Sequence, residues 1–176
     1  MIHHEEVWGT VVSLEFYEES KSTSEIETVS KEAVSFLHEI DRDFSTFKND
    51  SEVTKIRSGE LKIENASLRM QLIWKLCEEA RDLTEGAFDP WHARLGGFDP
   101  SGFVKGWAAD KCGEIFNNYE IENSLVNAAG DISVRGGLLS DGVVGPWPLQ
   151  IRNPEKFDEV VKDIPIYNGA VATSGV

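Results

Sequence analysis

The stretch Phe98-Asp99-Pro100-Ser101-Gly102-Phe103-Val104-Lys105 is the one best suited to chemistry. A turn holding Pro and Gly feeds directly into a helix-forming run, and Ser101 is a natural N-cap. The first-turn amides of such a helix point outward without partners and can cradle an anion such as a pyrophosphate. Lys105 brings a cation near the same end. Asp99 would repel phosphate; it suits hydrogen bonds from a ribose, an adenine amino group or a flavin ring N–H. The plain alternative is a Ser-capped helix after a tight turn, with no ligand.

Gly86-Ala87-Phe88-Asp89-Pro90 is of similar type. Asp-Pro favours a turn, and Phe88 can stack on a planar ligand or simply fill a core. Trp8-Gly9-Thr10 and Thr46-Phe47 carry aromatics that equally suit packing. Asn127-Ala128-Ala129-Gly130-Asp131 reads as strand, glycine turn, strand. No GxGxxG, Walker, GxSxG or HExxH pattern occurs. Cys77 and Cys112 form no CxxC pair and fall on apolar helical faces, which predicts buried free thiols. His3, His4, His38 and His92 lack metal-ligand spacing.

The elements that must position these residues are mixed. Alternation from Val7 to Phe16 predicts a strand, and Ile26, Val29, Ala33, Phe36, Leu37 and Ile40 predict a helix to about Ser45. Asp41 to Val53 reads as irregular. A second helix begins at Ser67, with Leu68, Leu72, Ile73, Leu76, Cys77, Ala80 and Leu83 on its inward face and Gly86 as its stop. A third runs from about Gly102 to Asn117, with Phe103, Trp107, Cys112, Ile115 and Phe116 inward. Short strands follow at Ser124–Ala128, Asp131–Arg135, Pro148–Arg152 and Ala170–Thr173. Helices and strands without a βαβ alternation predict an α+β fold with mixed or antiparallel sheets. The chain has 176 residues, 31 acidic and 17 basic, for a formal charge of −14. Such a field disfavours nucleic acid and anionic membranes. No apolar run approaches the ~20 residues of a membrane span. The N-terminus has no signal-peptide pattern and no lipid-attachment cysteine, so a cytoplasmic location is expected.

Taken in order, several pieces resemble one family. They are Trp8-Gly9-Thr10, Phe44-Ser45-Thr46-Phe47 with Ser51-Glu52-Val53, Gly86–Pro90, Asp99–Ala108, Val126–Ile132, Trp147–Ile151 and Ala170–Gly175. Together they resemble the ApbE family, the FAD:protein FMN transferases, across essentially the whole chain, and more closely its compact actinobacterial-like form. The resemblance implies a single ApbE-like, T-fold-related α+β domain over residues 1–176, corresponding to the N-terminal two-thirds of the usual length. It implies Mg²⁺-dependent transfer of FMN from FAD, the substrate, to a threonine of a target flavoprotein, with AMP leaving. Trp8, Phe47, Ala87, Phe88, Asp89, Asp99 and Lys105 fall on FAD-contacting positions of the family. Gly102 falls where a main-chain carbonyl meets the magnesium. Ala129 stands where the family usually has glycine. The positions matching the family's later His and Asp, the expected base among them, lie past Val176, so no catalytic residue is assigned. A non-catalytic FAD-binding remnant and an FAD-hydrolysing relative, yielding FMN and AMP, are the alternatives.

Overall fold

The computed structural model describes residues 1–18, 20–140, 142–156 and 158–173. The backbone separates into two compact units, Met1–Val34 with Ala109–Val176, and Ser35–Ala108. Helices α1 (Thr23–Phe44) and α4 (Ser101–Asn118) each have residues in both.

The first unit is built on a five-stranded antiparallel sheet in the order β1-β2-β3-β4-β9. Its strands are β1 (Ile2–Val7), β2 (Thr10–Phe16), β3 (Ser124–Ala128), β4 (Asp131–Arg135) and β9 (Gly169–Val171). Alternation puts Val12, Leu14 and Phe16 on one face, where they are buried. There Phe16 meets Phe116 of α4 edge-on, with ring centroids 4.7 Å apart. The opposite face carries Leu125 and Val134, which cluster with Trp147. Trp147 opens the β7 (Trp147–Arg152) and β8 (Val160–Ile166) ribbon, and its indole N–H donates to the Arg135 carbonyl at 3.1 Å. A small ribbon of β5 (Leu138–Ser140) and β6 (Val143–Gly145) precedes it.

The second unit is helical. Helix α2 (Glu52–Ser58) starts on Ser51, whose hydroxyl oxygen accepts from the Thr54 amide at 3.0 Å. Helix α3 (Leu68–Leu83) starts on Ser67, which accepts from Met70 at 3.1 Å. Glu52 in turn accepts from both the amide and the hydroxyl of Ser67, at 2.8 and 2.6 Å. Gly86, at φ 82°, follows the end of α3 and donates its amide to the Arg81 carbonyl at 2.9 Å.

The α+β class and the order of the main helices match the sequence expectation. Four local expectations do not. The strand from Val7 to Phe16 is the end of one strand and all of another, broken at Trp8-Gly9. The stretch 41–53 holds the last turn of α1 and the start of α2. On α3 the buried residues are Met70, Ile73 and Cys77, whereas Leu68 and Leu83 are 85% and 86% exposed. The expected face holds at Ile73 and Cys77, but apolar type alone missed Met70 and counted Leu68, Leu72 and Leu83, which stand open. The strands β5, β6 and β8 were not foreseen; they are short or half-exposed ribbon strands with little alternation of burial. Among the described residues no helix is long and apolar enough to cross a membrane.

Candidate active site

The turn after α3 and the turn before α4 meet inside the second unit. The Asp99 amide donates to the Pro90 carbonyl at 2.8 Å, closing the loop between them. The Phe88 ring lies over Gly102: a Cβ there would stand 3.4 Å from Phe88 Cε2. Phe88 also lies 6.4 Å, centroid to centroid, from Phe103. Four of the expected residues, Phe88, Asp89, Asp99 and Gly102, are thus brought together by two backbone turns and one ring. Ala87 stands beside them, its amide donating to the Thr84 carbonyl at 3.0 Å.

The capping of α4 differs from the sequence reading. Asp99, not Ser101, caps the helix: its Oδ1 accepts from the Ser101 amide at 3.0 Å. The amides of Phe103 and Val104 both donate to the Pro100 carbonyl, at 2.8 and 2.9 Å. Among the described residues, Gly102 keeps the one first-turn amide without an acceptor. A Ser and an Asp two residues apart compete for this role, and the backbone decides: Ser101 is already the first helical residue, so the side chain in reach of its amide is that of Asp99. The anion site expected here is therefore narrower than a bare helix end, since a carboxylate already occupies part of it.

Lys105 is half-buried one turn into α4 and makes no ion pair among the described residues. Asp89 stands 3.3 Å from Arg81, and its Oδ1 accepts from the Trp91 amide at 3.1 Å. Trp91 stacks on Phe98 at 5.4 Å and meets Trp74 edge-on at 5.0 Å. The loop beyond Trp91 is pinned by Arg57, which donates to the Leu95 carbonyl. A Cβ on Gly96 or Gly97 would stand 3.2 or 3.3 Å from the Arg57 side chain, and both glycines have positive φ. Arg57 and Arg81 were not singled out in the sequence. The only available signal was a basic residue in the last turn of α2 and of α3.

Phe47 sits at a turn and is 95% exposed. Its turn is held from below, where the Ser51 hydroxyl donates to the Ser45 carbonyl at 2.6 Å. Trp8, in the first unit, occupies the first central position of the β1–β2 hairpin, between the paired Val7 and Thr10. Trp8 has φ 58° and Gly9 φ 70°, the pattern of a type I′ turn. Asn, Asp or Gly fits that first position without strain; a tryptophan there is strained by roughly 1 kcal/mol or more. The open cleft of the first unit, about 430 Å³ and lined by Glu15, Tyr17, Asn127, Gln150 and Arg152 among others, contains none of the expected site residues.

A magnesium ion needs several oxygen ligands. Among the described residues no three His, Cys, Asp or Glu side chains cluster for a metal. Asp89 is paired with Arg81 and Asp99 caps α4. The Gly102 carbonyl alone does not fit a complete magnesium site. Cys77 and Cys112 are buried free thiols, as expected, and burial pushes each up to about 12.

Comparison with known proteins bears on the family and the fold. A family model described as the ApbE family matches residues 8–97 and 96–176. The FAD:protein FMN transferase of Vibrio cholerae is 38% identical over 79 residues, which span 44% of this chain and 22% of that protein. Among solved structures, the flavin transferase ApbE from Vibrio cholerae superimposes with a TM-score of 0.82 at 23% identity, over 100% of this chain and 71% of that one. The ApbE protein from Thermotoga maritima gives 0.83 at 24% identity, over 99% of this chain and 70% of that one. The flavinyl transferase ApbE of Pseudomonas stutzeri, in its apo form, gives 0.80 at 16%, over 100% and 68%. At these identities the structures attest the fold alone. The family match runs from Trp8 to the last residue, and with it the chain belongs to the ApbE family.

Proposed function

We propose that this chain binds FAD and takes part in transferring FMN from it to a threonine of a target flavoprotein, with release of AMP. The observation that carries the reading is the joining of the Ala87–Asp89 turn to the Asp99–Gly102 turn, with Phe88 against Gly102. Family membership supports the same assignment. On this reading Phe88 and the exposed Phe47 offer faces to planar rings, and Lys105 with the free Gly102 amide faces a phosphate. Asp89 and Asp99 accept from ring or sugar donors. Trp8, strained in its own hairpin turn, is a separate candidate contact, since strain at a bulky residue points to a functional constraint. Positioning of the phosphoryl group supplies most of the catalysis in such a transfer. Mg²⁺ would neutralise the developing charge, and ligands other than the described side chains would have to hold it.

The test mixes the protein with FAD, Mg²⁺ and a target domain carrying the acceptor threonine. Flavin fluorescence on the target band of a denaturing gel is the expected result. A band with neither this chain nor a longer version carrying further His and Asp residues would refute the transfer. A second reading, FAD binding without transfer, is favoured by one observation: both site carboxylates are already engaged. It predicts FAD binding with no AMP release over hours, read by chromatography. Mg²⁺-dependent AMP without an acceptor would instead identify FAD hydrolysis.

A further inference from the structure

We infer that Arg81 is a positioning residue for the flavin site, holding the Gly86–Asp89 turn and neutralising Asp89 so that an anionic dinucleotide can approach it. This rests on the FAD-binding reading above. Arg81 engages the turn at both of its ends. Its carbonyl accepts from the Gly86 amide at 2.9 Å, and its Nε lies 3.3 Å from Asp89 Oδ1. The same Oδ1 accepts from the Trp91 amide at 3.1 Å. Oδ1 is therefore engaged by one amide donor and by the charge of the guanidinium, and among the described residues Oδ2 is the atom left for a ligand N–H or O–H. The guanidinium is itself held in place, lying 6.0 Å over the Trp91 ring, which stacks on Phe98 at 5.4 Å.

The electrostatic need is plain. The chain carries a formal charge of −14, and the Asp89 side chain is only 21% exposed. An unmatched carboxylate at that depth would repel pyrophosphate through a medium less polar than water. Arg81, 50% exposed, matches the charge while leaving Oδ2 open. Arginine suits this better than lysine because it pairs with a carboxylate and lies on an aromatic face at once.

The test titrates FAD against the protein by quenching of flavin fluorescence, at about 20 mM and about 300 mM salt. Arg81→Gln is expected to raise the Kd for FAD about fivefold at low salt, the scale of a partly screened pair. At high salt the gap should shrink toward about twofold, because screening weakens the repulsion from an unmatched Asp89. Arg81→Lys should recover part of the affinity, and Arg81→Gln with Asp89→Asn should lose the salt dependence. A merely structural role predicts the same penalty at both salts, and that result would overturn the inference. So would wild-type affinity in Arg81→Gln. Thermal unfolding and near-ultraviolet circular dichroism of Trp74 and Trp91 report whether Arg81→Gln is folded; if it is not, the salt series on Arg81→Lys decides. Failure of the wild-type chain to bind FAD at either salt overturns the FAD-binding reading, and this inference with it, before any variant is made.

Discussion

Lys105→Ala should weaken FAD binding about five- to tenfold, while Lys111→Ala should leave it nearly unchanged. Both lysines lie on α4, so helix propensity treats the two replacements alike. What differs is distance and pairing. Lys105 is four residues past the helix start, about 6 Å along the axis. A unit charge about 6 Å from a phosphate contributes about 0.7 kcal/mol in water and about 2.8 kcal/mol at the effective dielectric of a protein surface. Lys105 is half-buried, which places it between those limits, at about 1 to 1.4 kcal/mol. Lys111 is about 15 Å from the same end, beyond the screening length of roughly 8–10 Å at ordinary salt. Its charge is also matched by Glu114, whose oxygens lie at 2.8 and 2.7 Å. Its share at the site is therefore below about 0.2 kcal/mol. Fluorescence titration with FAD measures both, with thermal unfolding as a check that neither variant has lost its fold. Equal losses, or a larger loss for Lys111→Ala, would refute the placement of phosphate at the start of α4.

Other perturbations test the local chemistry. Asp99→Ala should lower stability by about 1 kcal/mol through loss of the helix cap, and Ser101→Ala by less than about 0.5 kcal/mol, in urea unfolding; a reversed order would restore the serine as the cap. Ala129, at φ 56°, is strained in the β3–β4 turn, so Ala129→Gly should stabilise by about 0.5–1 kcal/mol; a loss of stability would contradict that. Gly130→Ala should destabilise by more than about 1 kcal/mol, because its φ is 100° and its Cβ would stand 2.3 Å from Thr173 Oγ1; a neutral effect would mean that Thr173 yields freely. Cys77 and Cys112 ionise at about 12 when folded and at the ordinary 9.0 when not. The unfolded chain thus releases protons first, and each thiol should erode stability as pH rises from about 9 toward about 12. Neither should react with a thiol reagent at pH 8 until the protein is unfolded, and prompt labelling of the native protein would contradict their burial.

What the sequence disclosed depended on the range of the forces involved. Local rules placed the cap at Ser67 and the β3–β4 turn, because a hydroxyl beside free amides or a glycine in left-handed geometry settles such features within a few residues. Those rules set the stop of α3 at Gly86, whereas the cap is Thr84 and Glu85, at φ 52°, takes the left-handed turn. They failed at Asp99 and Ser101, where two good caps compete and only the realised backbone decides between them. They succeeded only in part on α3, where Ile73 and Cys77 are buried as expected but Met70 is buried too and Leu68 is open. Burial there depends on which elements cover the helix, and no spacing rule contains that. At the site, the family's motifs drew attention to Phe88, Asp89, Asp99 and Gly102, but the residues that hold them went unmarked. Arg57 and Arg81 read as ordinary helix-end cations until the fold set one against Gly96 and Gly97 and the other against Asp89.

On the proposed FAD reading, Asp89 and Asp99 would stand beside a phosphate in an already acidic chain, and their charges are offset by different means. Asp89 is matched by a neighbouring guanidinium, 3.3 Å away. Asp99 has no such partner among the described residues; its charge faces the positive end of α4 and accepts from the Ser101 amide. The two devices should respond differently to salt. The ion pair is half-exposed and weakens as ions screen it, whereas a bond to a helix amide depends on geometry more than on distant charge. Raising salt should therefore loosen the Ala87–Asp89 turn before the Asp99 cap. Amide hydrogen exchange would resolve this: exchange at Trp91, whose acceptor is Asp89, should quicken with salt, while exchange at Ser101, whose acceptor is Asp99, should change little. Parallel acceleration at both amides would mean that one shared field, not two local contacts, holds the two turns.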